Sequence, residues 1–177
     1  MNEQITENER LPKRKHNRLG EFHYGSGYSY FITVCTKGRA RILSDITVGT
    51  GVLDCPQVKL TYFGEIVDKY INQLNDFYEH ISVDQYVIMP NHIHLLITVR
   101  LENGQSGTPV PTRGNSIASS FVSTLKRFSN KEYGLNPWQR SFYDHVIRNR
   151  QDYEETRKYI FENPQNWEKG ELLSMES

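Results

Sequence analysis

The sequence predicts an α+β domain: an antiparallel, ferredoxin-like (RRM-like) sheet with helices on one face and the other face open. Two observations carry this prediction. Apolar residues recur with period two in some segments and with the helical period in others. Those segments follow the order strand, helix, strand, strand, helix, strand, which is that of a split βαβ sheet. At roughly 150 residues per domain, a chain of 177 residues is expected to hold one such core, over residues 19–177.

Residues 1–18 are polar and charged without periodicity, and read as a flexible basic arm. "YSYFITVCTKG" alternates and is rich in β-branched and aromatic residues, which makes it a strand. "LTYFGEIVDKYINQL" sets Phe63, Ile66, Val67, Tyr70, Ile71 and Leu74 at helical spacing, an amphipathic helix. "SVDQYVIMP" and "NHIHLLITV" follow as two strands of a hairpin joined tightly at Pro-Asn. The Gly- and Pro-rich "ENGQSGTPVPTRGN" reads as a loop. In "SIASSFVSTLKRFSNKEY", Ile117, Phe121, Leu125 and Phe128 share a stripe flanked by Lys126, Arg127 and Lys131, a second amphipathic helix with a basic flank. "SFYDHVIRN" is a short fourth strand, and "RQDYEETRKYIFEN" a third helix expected to stop at Pro164. The chain has no internal repeat.

Composition narrows the functional class. There is no apolar run of about 18 residues and no basic-then-apolar leader, so a cytoplasmic protein without a membrane span is expected. Cys35 and Cys55 are too few for a disulfide framework and form no C-x-x-C pair. Net charge is zero, with 21 Lys and Arg against 21 Asp and Glu, yet the charges are segregated. Arg10, Lys13, Arg14, Lys15, Arg18, Lys37, Arg39 and Arg41 face only Glu21 in their stretch, and Lys126, Arg127, Lys131, Arg140, Arg148 and Arg150 face Glu132 and Asp144. A neutral protein patterned this way can present a basic, phosphate-binding face, or simply a solvated one.

The residues with chemistry stand in "VIMPNHIHLLITV". Residues two apart on a strand point the same way, so His92 and His94 project side by side and Ile93 to the opposite face. Adjacent neutral imidazoles on a rigid strand are a natural pair of metal ligands; an H-x-H in a strand also serves as hydrogen-bonded or surface polar residues. Leu96 excludes H-x-H-x-D and H-x-H-x-H metal patterns, which need an acid or a histidine there. A third ligand and a nucleophile would come from another element, and the last helix offers Tyr159 and Asn163, one turn apart on one face. That face borders the stripe of Tyr153, Thr156 and Ile160, so Tyr159 also reads as packing and Asn163 as a helix stop.

The combination of "PNHIHLL" with "KYIFENP" resembles the single-tyrosine HUH transposases, specifically the REP-associated tyrosine transposases, and the likeness extends through "GYSYFITVCTKGR", "YGLNPWQRSFYDHVIRN" and "YIFENPQNW". The resemblance implies an HUH nuclease architecture, with His92, His94 and Asn163 holding Mg²⁺ or Mn²⁺ and Tyr159 attacking DNA. Many insertion-sequence relatives carry Gln at the position of Asn163; Asn goes with the REP-associated branch. The implied activity is a site-specific endonuclease and transposase that cleaves and rejoins single-stranded or hairpin DNA, such as repetitive palindromic elements, through a 5′-phosphotyrosine. Lys13, Arg14 and Lys15 of the arm, Lys37, Arg39 and Arg41, the flank of Lys126 and Arg127, and Arg140 and Arg148 are the candidate phosphate contacts. Trp138 or Tyr143 is a candidate to stack a base, with packing as the other reading for Trp138.

Two further readings stay open at this level. The sheet also serves nucleic-acid-binding modules without catalysis, although the aromatic K/R-G-F/Y pattern of RNA-binding domains is missing. A zinc-dependent hydrolase would need Cys35 as an additional ligand.

Overall fold

The computed structural model describes residues 27–47, 56–100 and 111–175. The basic arm, with Lys13, Arg14 and Lys15, lies outside the described residues. In chain order the elements are β1 (Gly27–Cys35), β2 (Ser44–Thr47), β3 (Gln57–Leu60), α1 (Tyr62–Phe77), β4 (Ile81–Ile88), β5 (His92–Arg100), α2 (Pro111–Tyr133), β6 (Tyr143–Val146) and α3 (Arg150–Met175), with a 3₁₀ turn at Lys37–Arg39. The fold is α+β. Its main sheet has the order β4-β5-β1-β6, and every neighbouring pair is antiparallel. None of the helices in the described residues is long and apolar enough to cross a membrane.

Alternation along the two central strands divides the core in two. Tyr30, Ile32 and Val34 of β1 and Ile93, Leu95, Ile97 and Val99 of β5 pack against Phe63, Val67, Ile71 and Leu74 of α1 and Phe121, Val122 and Leu125 of α2. The opposite face brings Phe31, Val87 and Leu96 against Ile147, Tyr153 and Ile160. Helices α1 and α2 thus share one face as expected, and α3 covers the other, which the sequence reading leaves open. The apolar run of β5 has this cause: a strand covered on both faces has no solvent side on which to alternate.

Helix α3 does not stop at Pro164 but runs on to Met175 with the proline inside. The pyrrolidine removes the hydrogen bond to the carbonyl of Ile160, a local loss. Contacts beyond it hold the helix: the Trp167 ring lies 6.0 Å from that of His92, and the Arg41 guanidinium stands 5.8 Å over it. Helix α2 begins at Pro111, inside the stretch expected to be loop; proline suits the first helical turn, where its missing N–H has no partner to lose.

Strands β2 and β3 pair as a separate hairpin, four residues each and too short to show a period in sequence. The hairpin seats α1. Thr61 caps that helix, its Oγ1 accepting from the Gly64 N–H at 3.1 Å and donating to the Ile42 carbonyl at 2.6 Å. A Cβ on Gly64 would overlap the carbonyl oxygen of Leu43, so the backbones approach only because the side chain is absent. Gly64→Ala is expected to cost about 1–3 kcal/mol by overpacking, read as a lowered urea midpoint at unchanged slope.

Candidate active site

His92 opens β5 opposite Cys35, and His94 stands opposite Thr33 of β1. Both rings lie under α3 and are nearly dry, 9% and 5% exposed. Their Nε2 atoms are 3.0 Å apart. Each remaining nitrogen has its own partner: His92 Nδ1 is 2.7 Å from Asn91 Oδ1, and His94 Nδ1 is 2.9 Å from Thr33 Oγ1. Phe31 stacks on His94 with ring centroids 4.9 Å apart. Burial pushes His92 down to about 4, with a further push from the Arg39 guanidinium. Burial, then His92 and Arg39, push His94 down to about 3. Both rings are therefore neutral at physiological pH, the form that offers a lone pair to a metal.

Tyr159 of α3 overhangs this pair. Its ring lies 5.4 Å from that of His94 and 5.8 Å from Phe31, and it is 51% exposed, at the rim and not in the core. Trp167, eight residues on, meets His92. Asn163 occupies the turn between them on the same helical face, half-buried. The tertiary structure thus brings His92, His94 and Tyr159 together between β5 and α3, with Asn163 one helical turn beyond Tyr159.

Two neutral imidazole nitrogens are borderline donors, of the kind that first-row divalent ions accept more readily than Mg²⁺ does. The two Nε2 atoms converge at 3.0 Å, close enough for one ion to take both. Among the described residues no group of three or more His, Cys, Asp or Glu forms a metal cluster. Among those residues Cys35 does not join the two histidines in such a group.

No family model matches the chain. A protein of Haemophilus influenzae described only as uncharacterized is 28% identical over 173 residues, covering 90% of this chain and 92% of that one. The REP-associated tyrosine transposase of Escherichia coli K12 is 28% identical over 83 residues, 47% of this chain and 44% of that one. Among solved structures, a REP-associated tyrosine transposase bound to a REP hairpin superposes with a TM-score of 0.55 at 23% identity, over 83% of this chain and 72% of that one. This chain has the fold of a REP-associated tyrosine transposase. Its resemblance to the REP-associated tyrosine transposases, visible in the motifs, thus holds in three dimensions.

Within this REP-associated tyrosine transposase fold the basic residues divide. Lys37, Arg39 and Arg41 are exposed on and just after the 3₁₀ turn, next to the histidines. Gly38 and Arg39 both have left-handed backbones, with φ of 60° and 55°, and this sharp turn carries Arg39 back toward the imidazoles. Lys37, Arg127, Lys131 and Arg140 line one open cleft of about 930 Å³. Arg148 is exposed near the start of α3.

One expected DNA contact is corrected, and another is already engaged by its own chain. Lys126 is half-buried, its Nζ donating to the carbonyls of Gln139 at 2.8 Å and Ser141 at 3.1 Å. It clamps the 134–142 connection at the edge of that same cleft. Trp138 is 1% exposed, donates to Ser129 Oγ at 2.9 Å and packs 5.3 Å from Phe63. A buried indole cannot stack a base; Tyr143, 64% exposed, can. The site residues that sequence reasoning misses are Thr33, Asn91, Phe31 and Trp167. Asn91 and Trp167 stand inside motifs already singled out, whereas Thr33 and Phe31 become visible only through the register of β1 on β5.

Both histidines titrate lower in the folded protein than their ordinary 6.5, so the unfolded chain binds protons first. Their contribution to stability is complete above 6.5 and is lost as pH falls toward 4 and 3. Each is expected to lower the folding constant by about tenfold per pH unit across that window. Urea midpoints between pH 7 and 4 check this, and His94→Gln should flatten the slope.

Proposed function

We propose that the chain is a single-tyrosine HUH-type transposase, an endonuclease that nicks and rejoins single-stranded or hairpin DNA through a covalent 5′-phosphotyrosine with a divalent metal. The observation that carries this reading is the half-exposed Tyr159 standing over two dry, neutral histidines whose Nε2 atoms converge at 3.0 Å. The likeness in fold and in partial sequence to REP-associated tyrosine transposases supports it.

His92, His94 and Asn163 would hold the ion. Bound there, Mg²⁺ or Mn²⁺ would neutralise the non-bridging phosphate oxygens and act as a template for an in-line displacement. The tyrosine oxygen forms a bond to phosphorus and its proton passes to solvent. The P–O3′ bond breaks, and the leaving oxygen takes a proton from water to become a free 3′-OH. The phosphotyrosine conserves the bond, and the reverse reaction rejoins a strand. The histidines are 9% and 5% exposed beneath α3, so a scissile phosphate would have to reach them at the Tyr159 rim, which a flexible unpaired strand does more readily than a duplex.

Lys37, Arg39 and Arg41 beside the site, and Arg127 and Arg140 in the cleft, would contact the phosphates, and Arg148 and the basic arm of residues 1–18 would add further contacts. Residues 19–177 act as one catalytic domain in this reading. Non-specific affinity then comes mainly from these cations and falls steeply with salt. Arg39→Ala is expected to reduce the slope of log K against log[salt] by about one unit.

Tyr159→Phe removes one hydroxyl at a solvent rim, so fold and DNA affinity should survive while cleavage is lost. Wild-type protein with Mg²⁺ and a single-stranded oligonucleotide carrying a cleavable site should yield, on a denaturing gel, a protein-linked band labelled from the 3′ portion of the DNA. His92→Ala should also give no adduct, with affinity largely kept. An adduct formed by Tyr159→Phe would refute the nucleophile, and tight binding without cleavage by the wild type would favour a binding module.

A further inference from the structure

We infer that Thr33 and Asn91 are positioning residues that select the tautomers of His94 and His92, and through them the capacity of the pair to hold a divalent cation. This rests on the metal-dependent reading above.

An amide oxygen only accepts, so Asn91 Oδ1 at 2.7 Å requires the proton of His92 to sit on Nδ1. Nε2 of His92 is then a lone pair, aimed at Nε2 of His94 3.0 Å away. The Thr33 hydroxyl, 2.9 Å from His94 Nδ1, can donate or accept. Without a cation a single directed chain satisfies every group: Thr33 O–H to His94 Nδ1, His94 Nε2–H to His92 Nε2, and His92 Nδ1–H to Asn91 Oδ1.

Holding a cation asks both Nε2 atoms for lone pairs at once. His92 already offers one. His94 has to carry its proton on Nδ1 instead, and the Thr33 oxygen becomes its acceptor by rotating the hydroxyl hydrogen away. The ring stays neutral in both arrangements, and Thr33 is the switchable partner that makes both available. A buried Nδ1–H without an acceptor is costly, so a methyl at the position of the Thr33 hydroxyl disfavours the metal-binding tautomer in particular. Loss of Asn91 frees the other ring to take the wrong tautomer. Neither residue touches the reacting atoms; both act through the histidines, as the outer partners of metal-bound imidazoles do.

The test is calorimetric titration of the full-length chain with Mn²⁺ alone, without DNA, so that the readout is affinity and not cleavage. Thr33→Val and Asn91→Ala are each expected to weaken binding by about 10–100-fold. Thr33→Ser and Asn91→Asp, which keep the hydroxyl and the acceptor, should stay near the wild type; a residue that only packs would not be rescued in this way. Asn91 stands in a hairpin loop with a half-exposed side chain, so the Asn91 pair carries the test even where Thr33→Val fails to fold. Wild-type affinity in Asn91→Ala and in a folded Thr33→Val, with binding lost in His92→Ala, overturns this inference and leaves the metal site standing. A wild-type chain that binds no Mn²⁺ overturns both.

Discussion

The constraint on which the site depends is that β5 is buried along both faces. Its odd-numbered residues meet α1 and α2, and its even-numbered residues meet α3. A histidine on a strand with one wet face would be a hydrated surface group. Here, two of them stand in nearly dry surroundings, where desolvation keeps them neutral and every ring nitrogen has a partner within 3.0 Å. Burying imidazoles without such partners would cost several kcal/mol, so the network and the dryness have to come together.

The placement of Tyr159 depends in turn on how α3 is tied to the sheet. Asp84 accepts from the Tyr153 hydroxyl at 3.0 Å and from the Ser82 hydroxyl at 2.9 Å, and Thr98 donates to the same carboxylate. Asn149 caps the helix through the N–H of Asp152, and Asp152 reaches back to the Arg148 N–H and to His145 on β6. These polar ties fix the first turn of α3, and Ile160 fixes the third by burial. Tyr159 lies between them on a rigid element, the condition for a functional group to be held to a fraction of an ångström. Tyr159 is half exposed there, at the rim of the buried pair.

Charge follows a similar division of labour. Lys37, Arg39 and Arg41 gather at the end of the sheet where β5 begins, while Lys69 and Glu132 neutralise each other at 2.7 Å between α1 and α2. A chain with no net charge can therefore still carry a basic surface at that end of the sheet. Lys126 shows why a basic flank on a helix is not by itself an interface: its amine went to carbonyls of its own chain.

The sequence by itself determined the four strands of the main sheet, the three helices and their order, since each rests on a local period that survives in any packing. It also determined that His92 and His94 share a face and that Tyr159 and Asn163 share another, because strand and helix geometry set those relations within one element. It did not determine that α3 would cover the second face of the sheet or continue through Pro164, since both depend on what Ile160 and Trp167 touch. The short β2–β3 hairpin was equally illegible. Trp138 as core and Thr33 as the partner of His94 are likewise matters of register and packing between elements far apart in the chain. Side-chain pairing across elements is paid for by burial and hydrogen bonds that exist only once the chain has folded, and so only the tertiary structure could decide it.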